Sequence, residues 1–152
     1  MNEAEKGYAM RYTIGCDVMD ASRADWSGMA SDDPFVRKTY SPSEWRYAQS
    51  SDEKAHVLAM GFAAKEAVYK SLHLDDEGVS QAESSLGRRL SFADIRIIHG
   101  RSWPEVELAP DLMDYLGLAG ISLTLSYEGN LIYATALAEW LCRKTASTAP
   151  AD

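Results

Sequence analysis

Cysteine is scarce in this chain: Cys16 and Cys142 are the only two. Two thiols cannot supply a four-cysteine metal site, and no Cys-x-x-Cys occurs, so cysteine-based metal and redox motifs are excluded. A disulfide between them is open on sequence grounds; free thiols in a reducing cytosol is the simpler reading. Long apolar runs are missing too. None approaches the ~20 residues that span a bilayer, and "MNEAEKGYAM" is polar and acidic, unlike a secretory leader. These features predict a cytoplasmic protein without a membrane partner. Positive charge is also short, with 15 Lys and Arg against 23 Asp and Glu and a net charge of −8. That sign argues against a general nucleic-acid-binding surface. There is no internal repeat.

What is present fits one soluble globular domain. The 152 residues are 46% hydrophobic and 25% charged, enough to bury a core without staples. We expect a loose leader over residues 1–10, a domain over 11–143 and a frayed tail over 144–152. "RYTIGCDV" (Arg11–Val18) is β-prone and predicts a strand ending near Asp17. "ASRADWSGMASDDP" predicts a short helix or irregular segment. "YSPSEWRYAQ" carries Ser41, Pro42 and Glu44 in helix-start order. The longest helix is predicted from an Asp52 cap to about Leu72, with Val57, Met60 or Gly61, Ala64, Val68 and Leu72 as its core stripe.

"HLDDEGVSQAESSLGRR" is polar and reads as a long loop. Two strands follow in "FADIRIIHGRSWPEVELA", joined by a turn at His99–Ser102, and a short helix runs from Pro110 to Gly117. "ISLTLSYEGNLIYATALAEW" is a hairpin turning at Glu128-Gly129-Asn130. Helices and strands do not alternate regularly. The fold class is therefore α+β, an antiparallel sheet packed on one long helix plus shorter helices.

Within "GFAAKEAVYKSL", Glu66 and Lys70 share a helix face with Ala59 and Ala63. On spacing alone they form a surface pair worth about 0.2–0.5 kcal/mol. The small neighbours also leave room for a polar ligand. Asp17 at a strand end is either a solvated or capping residue or one carboxylate of a hard-metal site. Should the strand end meet the helix, Asp17 and Glu66 would make a pair suited to Mg²⁺.

Four segments, "IGCDVMDASR", "YSPSEW", "GFAAKEAVYKSL" and "LSYEGN", together resemble the phosphopantetheinyl transferase superfamily, in its small holo-(acyl carrier protein) synthase branch. "LSFADIRI" followed by "HGRSWPEVEL" matches as well, so the resemblance runs from about Tyr12 to Glu139. It implies transfer of the phosphopantetheine arm of coenzyme A to a serine of an apo acyl, peptidyl or polyketide carrier protein, releasing adenosine 3′,5′-bisphosphate. It implies Asp17 and Glu66 as Mg²⁺ ligands, and Lys70 at the phosphates. Lys65 is either a phosphate or a structural contact. Either Glu66 or a metal-bound water accepts the serine proton. Arg23, Arg37 and Lys38 would meet the acidic carrier. A homotrimer with sites between subunits is implied too.

The chain departs from the family pattern at three places. Gly61 replaces an arginine, Tyr127 follows Ser126 where a histidine is usual, and a longer acidic segment replaces a glycine-rich loop. Ser126, Tyr127 and Arg88, with Lys65 and Lys70, are the candidate coenzyme A contacts. Two other readings stand beside the enzyme: a weak or inactive relative that binds a carrier protein, and an unrelated acidic α+β binding domain.

Overall fold

The computed structural model describes residues 8–99 and 103–143. Most of the predicted leader and the predicted tail, with residues 100–102 of the predicted turn, lie outside them.

Strand β1 (Tyr8–Asp20) pairs antiparallel with β5 (Leu131–Arg143), and β5 pairs on its other edge with β4 (Leu118–Glu128). The pleat divides each strand cleanly. On β5, Ile132, Ala134, Ala136 and Ala138 are buried, while Leu131, Tyr133 and Leu141 between and beyond them are exposed. β1 points Thr13, Gly15 and Asp17 inward by the same alternation, and Tyr12, Ile14 and Val18 outward. The strand begins at Tyr8, three residues before the predicted Arg11, because pairing with Leu141 to Arg143 extends it.

Helix α3 (Lys54–Ser71) lies across the inner face of this sheet. Ala59, Ala63, Ala64 and Ala67 are buried against it, and the β5 alanines meet them. Small side chains on both layers let helix and sheet approach closely. The buried arc is wider than the predicted stripe, taking in Leu58, Ala59, Ala63 and Lys65 besides Gly61, since the helix is covered on more than one side. No side chain caps its start; Glu53 occupies the cap position instead of the predicted Asp52. Gly15 marks the closest crossing with β1. A Cβ there would collide with the Ala67 carbonyl oxygen and the Ser71 amide, and lie 2.8 Å from the Lys70 carbonyl carbon. Next to it, the Thr13 hydroxyl donates to the Ser71 carbonyl at 2.6 Å and accepts from Trp140 Nε1 at 2.6 Å.

A second, two-stranded sheet pairs β2 (Ile95–His99) with β3 (Pro104–Leu108). Helix α1 (Pro34–Thr39) has no counterpart in the sequence reading, while α2 (Pro42–Gln49) begins at the predicted start, with Ser41 and Glu44 forming a capping box. The segment read as a long loop is in fact helix α4 (Asp76–Leu86). Asp75 caps it through the Gly78 amide at 2.8 Å, Ala82 is buried, and Gly87 ends it at φ 66°. Its acidic, serine-rich exposed face hid that pattern. Helix α5 (Pro110–Leu116) runs between the expected Pro110 and a left-handed Gly117.

Candidate active site

The tight crossing at Gly15 sets the site. Two residues further along, on the same inner face of β1, Asp17 reaches the last turn of α3, and its Oδ1 accepts from Lys70 Nζ at 2.7 Å. That ion pair is partly solvated, with the Lys70 side chain 47% exposed, so it contributes little to stability. Glu66, one helical turn before Lys70, stands beside both. Burial pushes its carboxyl above the ordinary value, the nearby Asp17 charge pushes it further, and Lys70 offsets part of this. The Asp17 bond and the surrounding carboxylates hold the Lys70 ammonium above its usual range, against a smaller opposing effect of burial. Asp17, Glu66 and Lys70 are thus brought together, as the sequence suggested.

Two carboxylates whose charges repel at a half-buried spot suit a hard cation. Mg²⁺ typically takes one or two carboxylates and completes its shell with water and phosphate oxygens. Among the described residues, no three His, Cys, Asp or Glu side chains converge on one point. The pair therefore fits a metal that shares its shell with a substrate rather than a closed protein cage.

Lys65 corrects the expectation of a phosphate contact. Its side chain is wholly buried, with the ammonium 2.8 Å from Glu44 Oε1 and 3.0 Å from Oε2. It also donates to the Phe92 carbonyl at 3.0 Å and to the Ile95 carbonyl. All three of its donors are engaged inside the protein. Burial pulls its pKa down and Glu44 opposes this. Arg88 is corrected as well. Its guanidinium holds Asp111 through Nε at 2.8 Å and Nη2 at 2.9 Å, and Asp94 through Nη1 at 2.8 Å. It clamps the end of α4 to α5.

Ser126 and Tyr127 are exposed on β4 beside the hairpin turn. Their directions differ. Ser126 aligns with Tyr133 and Val18 on the outer face, while Tyr127 aligns with buried Ile132 on the inner one. Within this subunit Ser126 therefore points away from the side that holds Asp17. Tyr127 meets His56 of α3 edge to face, ring centres 4.4 Å apart. His56 escaped the sequence reading. Its Nε2 is the buried side-chain polar atom with no partner among the described residues. Gly61 is buried, and a Cβ there would stand 3.4 Å from the Tyr40 ring. The small residue serves that packing. Arg23, Arg37 and Lys38 are exposed, the first in a 3₁₀ turn after β1 and the others in the last turn of α1. An apolar hollow of about 230 Å³, lined by Tyr69, Leu72, Val79 and Phe92 among others, lies apart and includes none of the three charged residues.

Comparison with known proteins places the family and the fold. A family model described as the 4′-phosphopantetheinyl transferase superfamily matches residues 13–111. The holo-[acyl-carrier-protein] synthase of Carboxydothermus hydrogenoformans is 31% identical over 126 residues, covering 81% of this chain and 94% of that protein. The synthase of Chlamydia muridarum is 29% identical over 128 residues, covering 84% and 94%. The holo-ACP synthase of Plasmodium yoelii superposes with a TM-score of 0.64 at 28% identity, covering 88% of this chain and 98% of that one. The Helicobacter pylori synthase, solved in complex with coenzyme A, gives 0.64 at 26%, covering 82% and 98%.

Proposed function

This chain belongs to the 4′-phosphopantetheinyl transferase superfamily, and on that premise we propose that it moves the phosphopantetheine arm of coenzyme A to a serine of an apo carrier protein. The observation that carries the reading is the convergence of Asp17 and Lys70 at 2.7 Å beside the raised Glu66 carboxyl. The carrier's serine oxygen attacks the β-phosphorus of coenzyme A, the pyrophosphate P–O bond breaks, and adenosine 3′,5′-bisphosphate leaves. Glu66, or a water held by the cation, would accept the serine proton. Lys70 balances negative charge on the phosphates as the leaving group departs. Asp17 and Glu66 would hold Mg²⁺, which supplies electrostatic stabilisation of the phosphoryl oxygens when bound.

The exposed outer face of the sheet supports self-association. Tyr12, Ile14, Val18 and Tyr133 form an apolar patch on one side of two long paired strands. Patches of this kind mark interaction sites in soluble proteins. A homotrimer through this face would turn Ser126 toward a neighbouring subunit, so that Ser126 serves the neighbour's side of a coenzyme A site shared between chains while Tyr127 serves it from the inner face of its own chain. Arg23, Arg37 and Lys38 form the surface for an acidic carrier, and a cytoplasmic location fits this partner. The weak-relative reading draws on Tyr127 in place of histidine. Replacing Tyr127 with His decides between them: a large gain in transfer identifies a decayed enzyme.

The test is substitution of the two carboxylates. Asp17→Ala and Glu66→Ala should each abolish Mg²⁺-dependent transfer, with circular dichroism and melting unchanged in kind. Full activity in both variants overturns the proposed site.

A further inference from the structure

The alanine face that α3 turns to the sheet bears on how its catalytic side chains are aimed. Ala59, Ala63, Ala64 and Ala67 offer shallow ridges, and the helix start carries no side-chain cap. Such a surface allows close approach but gives weak grip on helix rotation. On the side of the helix turned away from that sheet, one long side chain supplies the grip. Lys65 enters the interior from α3 and meets fixed acceptors on three other segments: Glu44 of α2, the Phe92 carbonyl before β2, and the Ile95 carbonyl of β2. Glu44 is itself fixed from both sides. It accepts the Ser41 amide at 2.8 Å through Oε2 and the Ile97 amide at 2.9 Å through Oε1. The pair is therefore directional where the alanines are not.

Successive residues of a helix project about 100° apart. Anchoring Lys65 on one side fixes where Glu66 points, and with it Lys70 one turn on. We infer that Lys65 and Glu44 are a buried positioning pair that sets the rotation of α3 and so aims Glu66 and Lys70 at Asp17. The pair touches no substrate. The inference rests on the reading of Asp17 and Glu66 as the catalytic carboxylates.

The test compares wild type, Glu44→Gln, and the double variant Glu44→Gln with Lys65→Met. The double variant removes both buried charges together, and its Gln retains an acceptor for the Ile97 amide, so it avoids leaving one charge stranded. Two readouts separate positioning from bulk stability. In transfer assays kcat should fall about a hundredfold, as misplacement of catalytic groups by about 1 Å can cause, with KM for coenzyme A moved far less. In Mn²⁺ titrations followed by electron paramagnetic resonance, with coenzyme A present, affinity should weaken about tenfold or more, as when supporting residues of a metal site are lost. If the double variant folds poorly, Glu44→Asp, which keeps both charges paired and shortens the reach to Lys65, carries both measurements. A folded variant with wild-type kcat and Mn²⁺ affinity overturns the inference. A wild type that transfers nothing overturns the proposed function alone, since Mn²⁺ affinity still decides the positioning role. A wild type that binds no Mn²⁺ overturns both.

Discussion

Glu66 and Lys65 are neighbours in sequence with opposite environments. Lys65 is sealed inside with Glu44, and Glu66 faces Asp17 at the protein's edge. The shared helix face of Glu66 and Lys70 was legible in the sequence because an i,i+4 pair is a local pattern, whereas a strand end meeting that helix at Asp17 is a tertiary contact that only the family resemblance implied. Spacing left Lys65 open, because the docking of α2 and β2 decides which of the two adjacent charges turns inward. The raised Glu66 carboxyl has a signed consequence. Its folded pKa lies above the ordinary 4.5, so the folded state holds more protons than the unfolded one as pH rises through that interval. Stability is therefore lost as pH climbs past it. Glu66→Gln should melt higher than wild type at neutral pH without metal, and the gap should close below the ordinary carboxylate value. Mg²⁺ with coenzyme A should reverse the order, stabilising wild type and not the variant. Thermal scans across pH check both halves. Removing one partner of the interior pair is costlier: Lys65→Met alone should destabilise by about 3–5 kcal/mol in denaturant titration, since Glu44 is left charged and buried.

At the level of elements, α3 and β1 form the working frame, and Gly15 is what joins them. Gly15→Ala places a methyl group against the backbone of Ala67, Lys70 and Ser71, which cannot rotate aside. It should destabilise at the upper end of the ~1–3 kcal/mol typical of overpacking. It should also lower transfer, because the backbone displaced is that of Lys70 itself; urea melts and rate assays on the same sample separate the two effects. The hairpin at Gly129, the capping box at Ser41 and the Pro110–Gly117 helix were legible because their signals are short and residue-specific. Helix α4 carried equally local signals, an Asp75 cap and a Gly87 stop. They were obscured by an acidic, serine-rich exposed face with only Ala82 fully buried, and the Arg88 ties to Asp94 and Asp111 that fix the end of the helix come from later in the chain. The α+β class followed from the order of elements, while the alignment of β1 with the far end of the chain depended on pairing across more than 100 residues.

For the whole molecule, the apolar outer sheet and the acidic balance of the chain matter most. Ile14 is 60% exposed at the centre of the outer face of β1. Ile14→Glu should convert the proposed trimer to monomer in light scattering, and transfer should fall with it if neighbouring subunits share the site. The net charge of −8 makes an acidic carrier an unfavourable partner except where Arg23, Arg37 and Lys38 face it. Arg23→Glu should weaken carrier affinity about tenfold, in line with ~1.4 kcal/mol per decade, and leave coenzyme A binding unchanged by calorimetry. The central claim is the transfer itself. Intact-mass spectrometry of apo carrier proteins from fatty-acid, polyketide and peptide pathways, each mixed with this chain, coenzyme A and Mg²⁺, measures it directly. The account predicts a gain of one phosphopantetheine on at least one carrier, abolished by EDTA. No gain on any of them, with coenzyme A still bound by the chain, would contradict it.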